Sequence, residues 1–107
     1  MSNDINQLKV KKIERKVLKL KHNSITRFTA TWCQPCHVYA PIFESTTSEF
    51  EEDWNVKSLD IDTEEGHSIA QQYGIRTVPS TLIEKKGENP QLFAGIILAD
   101  DLKSLLN

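Results

Sequence analysis

Ser24-Ile25-Thr26-Arg27-Phe28-Thr29-Ala30 is rich in β-branched and aromatic residues and predicts a strand over 24–30. Helix-compatible sequence follows. Val38, Ile42 and Phe43 are its apolar positions, and they predict a helix from about Cys33 to Phe50, kinked at Pro41. Val56–Ile61 reads as a second strand. Glu64–Tyr73 reads as a helix, with Thr63 or Asp62 as its N-cap and Gly74 as its stop. Ser80–Glu84 and Gln91–Ala94 read as a hairpin joined through Lys86-Gly87-Glu88-Asn89-Pro90. Asp100–Leu106 reads as a last helix, with two acids in its first turn and Leu102, Leu105 and Leu106 inward. Residues 8–13 fit either a first strand or the start of a helix running to Lys21. The order βαβα then ββα implies an α/β domain: a mixed sheet with helices on both faces.

One hundred and seven residues suffice for one domain with one core. The net charge of −2 does not point to nucleic acid. Charge is unevenly spread along the chain. Residues 9–21 carry seven bases against Glu14, and residues 44–65 carry nine acids against Lys57. Two oppositely charged solvated faces are the favoured reading, ahead of a basic arm for an acidic partner. Val10, Ile13, Val17 and Leu20 interleave the bases near helical spacing, so that segment is expected to pack on the domain. No apolar run is long enough for a membrane span, and the start of the chain does not read as a signal peptide. A reducing cytoplasmic location is expected, where a close cysteine pair is more often catalytic or metal-binding than structural.

The two cysteines of the chain stand three positions apart, in Trp32-Cys33-Gln34-Pro35-Cys36, between the strand and the long helix. The first can therefore sit at a helix N-terminus, where free N–H groups and the positive dipole end stabilise a thiolate. Such a setting lowers a thiol pKa from about 8.5 to roughly 3.5–7.5.

Trp32-Cys33-Gln34-Pro35-Cys36 resembles the Trp-Cys-Gly-Pro-Cys of the thioredoxin family, and Tyr73-Gly74-Ile75-Arg76-Thr77-Val78-Pro79 resembles that family's segment ending in a cis-proline. Gly87 matches the hairpin glycine and Gly95 the glycine beside the active site. The match covers about residues 24–107, with residues 1–23 weakly matched. The resemblance implies one domain of thioredoxin fold that reduces protein disulfides. Cys33 would be the exposed nucleophile and Cys36 the more buried resolving thiol. Trp32 would shield the pair, and Gln34 and Pro35 would shape substrate fit. Val78, Pro79 and Gly95 would form a groove for a substrate peptide lying as an extra strand. It further implies a thioredoxin reductase-like flavoprotein as electron donor, no cofactor beyond the Cys33–Cys36 disulfide, no metal, and a monomer.

Four positions depart from the family pattern. Arg27 stands where a buried Asp is usual, and Ser58 where Lys is usual. Thr29 replaces a Trp, and Gln34 the glycine of the motif. The Asp–Lys pair of the family helps move a proton on and off the resolving thiol, and both members are replaced together. Strand alternation puts Arg27 on one face with Ile25 and Thr29. A buried guanidinium must reach solvent or find a carboxylate. A cation near the cysteines favours their thiolates, and so raises the potential above about −270 mV, the reference value for thioredoxin itself. His37, in the first helical turn, is a second candidate for tuning the thiols.

Other readings of the same residues are weaker. Cys33-Gln34-Pro35-Cys36-His37 fits Cys-x-x-Cys-His, the haem attachment pattern, but Met1 is the single methionine. A zinc site needs about four ligands, and His22, His37 and His67 are scattered. A glutaredoxin-type reading lacks a glycine-rich turn after Ser80. A binding module or assembly subunit that uses the groove, with redox chemistry secondary, is the functional alternative.

Overall fold

The computed structural model describes residues 23–107; the expectations for residues 8–21 lie outside these. Among the described residues the chain runs β1 (Asn23–Thr29), α1 (Gln34–Thr47), a short 3-10 turn (Ser48–Phe50), β2 (Trp54–Asp60), α2 (Glu64–Gln72), β3 (Ser80–Glu84), β4 (Gln91–Ala94) and α3 (Ala99–Leu106). The sheet order is β2-β1-β3-β4. β1 and β2 are parallel, whereas β1–β3 and β3–β4 are antiparallel. A mixed sheet with helices on both faces is what the alternation implied.

Strand alternation divides the core. Ile25 and Ile83, direct partners across β1 and β3, pack with Tyr39 and Phe43 of α1 and with Leu102 and Leu106 of α3. Phe28, Leu59 and Leu82 point the other way and meet Ala70 of α2. β1 is covered on both faces, so Ile25 through Phe28 are all buried. Trp54 fastens the far end of the first layer: its Nε1–H donates to the Leu106 carbonyl at 3.1 Å. β2 starts two residues ahead of Val56, the start read from the sequence, because Trp54 and Asn55 pair with Asn23 and Ser24 of β1.

Several local signals act as read. Pro35 sits in the first turn of α1, where a missing N–H costs nothing. The helix is continuous through Pro41, and its last residues tighten into the 3-10 turn. Thr63 caps α2, accepting from Gly66 N at 3.0 Å. Gly74 ends that helix region at φ 71°, in the left-handed region. Gly66 has a different reason to be glycine: a Cβ there would overlap the Asp60 carbonyl oxygen, so the start of α2 lies directly against the end of β2.

The top of the sheet positions the cysteines. β1 ends at Thr29, whose carbonyl accepts from Ile61 N at 2.9 Å, and the chain turns immediately into α1. The loop before β3 arrives beside it with a cis Val78–Pro79 bond. Among the described residues no helix is long and apolar enough to cross a membrane.

Candidate active site

Cys33 is the N-cap of α1. Its Sγ accepts from Cys36 N at 3.2 Å, and its carbonyl accepts from His37 N at 3.3 Å. The two cysteines form a disulfide across a Cα–Cα distance of 5.3 Å. The sulfur acceptor therefore stands where the helix leaves N–H groups unsatisfied and concentrates its positive dipole end.

Cys33 was expected to be exposed; it is 4% exposed, and Cys36 1%. The order is as expected but the first cysteine is covered as well. The reason is packing: the pair sits in an apolar cluster with Ala30, Ile61 and Val78, and Cys33 Sγ lies 3.6 Å from the Val78 carbonyl oxygen. Pro79 carries no N–H, so its backbone offers the sulfurs no donor. The Pro79 carbonyl instead accepts from Gly95 N at 2.8 Å, which ties the cis-proline loop to the end of β4. Gly95 has φ 91°, a conformation that side chains rarely adopt. The structure thus brings Cys33, Cys36, Val78, Pro79 and Gly95 to one end of the sheet. Gln34 and Pro35 are exposed beside them.

Trp32, expected as a shield, stands 66% exposed at the surface. Its Nε1–H donates to Asp62 Oδ2 at 2.8 Å. Asp62 is in turn held by its own N–H, which donates to Asp60 Oδ1 at 2.8 Å. Sequence reading had Asp62 only as an alternative cap for α2, a task that Thr63 performs. Nothing local in the sequence marks a partner thirty residues from the indole.

His37 is exposed, and its Nε2 is 2.8 Å from the Thr31 carbonyl oxygen, so that nitrogen carries the proton. The ring bridges the first turn of α1 to the loop ahead of the cysteines.

Arg27 is 7% exposed. Its Nε donates to Ser58 Oγ at 3.2 Å, and its guanidinium carbon lies 5.6 Å from the Phe43 ring centroid. Among the described residues a hydroxyl and an aromatic face hold it, rather than the expected solvent or carboxylate. Ser58 is exposed whereas Arg27 is not, so the bond links a buried side chain to a residue at the surface of β2. Beside it, Tyr39 and Thr81 exchange a buried hydrogen bond of 2.8 Å between hydroxyls. Burial raises the Tyr39 pKa above its ordinary value, and the Thr81 bond and the Arg27 charge oppose that rise.

Among the described residues no group of three or more His, Cys, Asp or Glu is arranged to hold a metal ion. The thioredoxin family model matches residues 4–107. The chain belongs to the thioredoxin family. It is similar to a thioredoxin of Porphyra purpurea, 35% identical over 80 residues, which cover 75% of this chain and 73% of that one. It is similar to thioredoxin 1 of Synechococcus elongatus, 30% identical over 94 residues, covering 88% and 86%. Among solved structures, a mutant thioredoxin from Halobacterium salinarum superposes with a TM-score of 0.71 at 30% identity, covering 85% of this chain and 77% of that one. As a thioredoxin-family protein with its Cys-x-x-Cys pair joined, this chain is a thiol–disulfide oxidoreductase. No observation favours the binding-module alternative.

Proposed function

We propose that this thioredoxin-family chain reduces protein disulfides, with Cys33 as nucleophile and Cys36 as resolving thiol. The observation that carries the reading is the Cys33–Cys36 disulfide at the N-cap of α1, facing the cis Val78–Pro79 bond. In the reduced protein the Cys33 thiolate attacks one sulfur of a substrate disulfide. A mixed disulfide forms and the other substrate sulfur leaves as thiolate. Cys36, as thiolate, then attacks the Cys33 sulfur and releases the second substrate thiolate. Two electrons pass to the substrate, and the protein is left with its disulfide. The N–H of Cys36 and the helix dipole favour the Cys33 thiolate, which is the attacking species.

Val78, Pro79 and Gly95 line the strip on which a substrate segment lies in extended form, with Trp32, Gln34 and Pro35 at its margin. A thioredoxin reductase-like flavoprotein returns the two electrons, and the protein works as a cytoplasmic monomer. The test is insulin-disulfide reduction with dithiothreitol as donor. Brisk turnover that Cys33→Ser abolishes supports the reading; turnover no faster than dithiothreitol alone contradicts it.

A further inference from the structure

The face of α1 that carries Cys36 into the protein rests on a polar row. Cys36, Tyr39 and Phe43 point inward together and are 1%, 0% and 1% exposed. Beneath them, Ser58, Arg27 and Thr81 are direct neighbours across β2, β1 and β3. Arg27 bonds Ser58 and lies against the Phe43 ring, while Tyr39 bonds Thr81. Among the described residues Arg27 is the one charged side chain in the buried class. Its partner Ser58 occupies the position where the family resemblance has lysine, and Arg27 that of the aspartate. The two replacements are therefore joined by a hydrogen bond.

We propose that Arg27 is a positioning residue whose permanent positive charge, held against Phe43 on the same inner face of α1 that carries Cys36, favours the dithiol over the disulfide. The inference rests on Cys33 and Cys36 being the redox pair. Phe43 follows Cys36 by seven residues, about two turns or roughly 10 Å along α1. The space between is filled by packed side chains, which screen a charge far less than water does. A guanidinium keeps its proton at every relevant pH, so the bias is constant and the row supplies no general base. Among the described residues, Cys36 is thus brought to its thiolate by a fixed charge and not by an internal proton acceptor. Tyr39, the other titratable group on this face, is buried with its hydroxyl bonded to Thr81, and burial raises its pKa. The remaining charged or titratable groups around the pair stand nearer the surface. His37 is exposed with its ring on Thr31; Asp62 is exposed with its carboxylate on Trp32; Asp60 is half-buried; Arg76 is exposed.

The test equilibrates the full chain with reduced and oxidised glutathione, so that protein disulfide plus two glutathione thiols gives protein dithiol plus one glutathione disulfide. Thiol alkylation reads the ratio. Arg27→Met should move the equilibrium toward the disulfide by about three- to tenfold, on the order of the effect of a unit charge roughly 10–15 Å away in a medium of effective dielectric about 20. Arg27→Lys should restore most of it. In a Cys33→Ser background, the pH profile of Cys36 alkylation should shift to higher pH with Arg27→Met. A folded Arg27→Met protein of lower melting temperature but unchanged ratio and unchanged profile would make Arg27 merely structural and overturn the proposal. Should Arg27→Met fail to fold, Arg27→Gln removes the charge while keeping a donor for Ser58, and the same two readouts decide. The equilibrium needs only the cysteine pair, so absence of insulin turnover in the wild type would sink the reductase reading without touching this one.

Discussion

The Trp32 indole and the Asp62 carboxylate are joined at 2.8 Å, linking the residue before the cysteines to the loop between β2 and α2. The bond is charge-assisted and its acceptor is itself held by Asp60. A 66% exposed tryptophan is therefore kept in one place next to the disulfide.

Asp62→Ala should release the indole. Tryptophan anisotropy should fall, and kcat/KM for a protein disulfide should drop by about threefold to tenfold, the loss of one modest hydrogen bond expressed in the transition state. Unchanged anisotropy would mean that the indole is held by something else.

Gly66→Ala should destabilise the fold by roughly 1–3 kcal/mol, because the new methyl meets the Asp60 carbonyl and α2 must shift. Denaturant unfolding measures it. Since the loop from Asp60 to Thr63 also carries Asp62, the variant should also loosen Trp32.

Tyr39→Phe leaves Thr81 Oγ1 without its described partner in a fully buried site. A cost of about 1 kcal/mol is expected. Thermal melts of the two proteins in the same redox state check it.

The chain has two tyrosines, Tyr39 and Tyr73, and both have pKa values raised in the folded state. Burial is the main cause for Tyr39. For Tyr73 it is the hydrogen bond to Glu84 Oε2 at 2.8 Å. A raised pKa means that the folded state holds these protons more tightly than the unfolded chain. Their contribution to stability is complete below about pH 10 and is lost as pH rises from there through the folded values. Phenolate absorbance should therefore appear later on base titration of the native protein than of the unfolded one. Coincident curves would contradict the assignment.

How far the sequence carried the fold follows from where each signal lies. Ser80–Glu84 and Gln91–Ala94 were legible to the residue because alternation and the Gly87 turn act locally. Thr63 and Gly74 were legible for the same reason. The start of β2 at Trp54 was not, since it follows from pairing with Asn23 of β1, on the other side of α1 in the chain. Arg27 was assigned to the correct face with Ile25, yet its partner Ser58 follows only from the parallel register of β1 and β2. The residues now gathered around the sulfurs were named through family resemblance. Asp62 lay outside that motif and was missed in its role toward Trp32. The cover over Cys33 was also missed, because it comes from Val78 and Ile61, on two separate loops.

The most direct test of the account is to trap the mixed disulfide. Incubated reduced with a protein disulfide, Cys36→Ser should accumulate a covalent adduct through Cys33, visible by intact mass and released by dithiothreitol, whereas Cys33→Ser should not accumulate one. Adducts that form through Cys36 instead, or none with either variant, would contradict the assignment of nucleophile and resolving thiol.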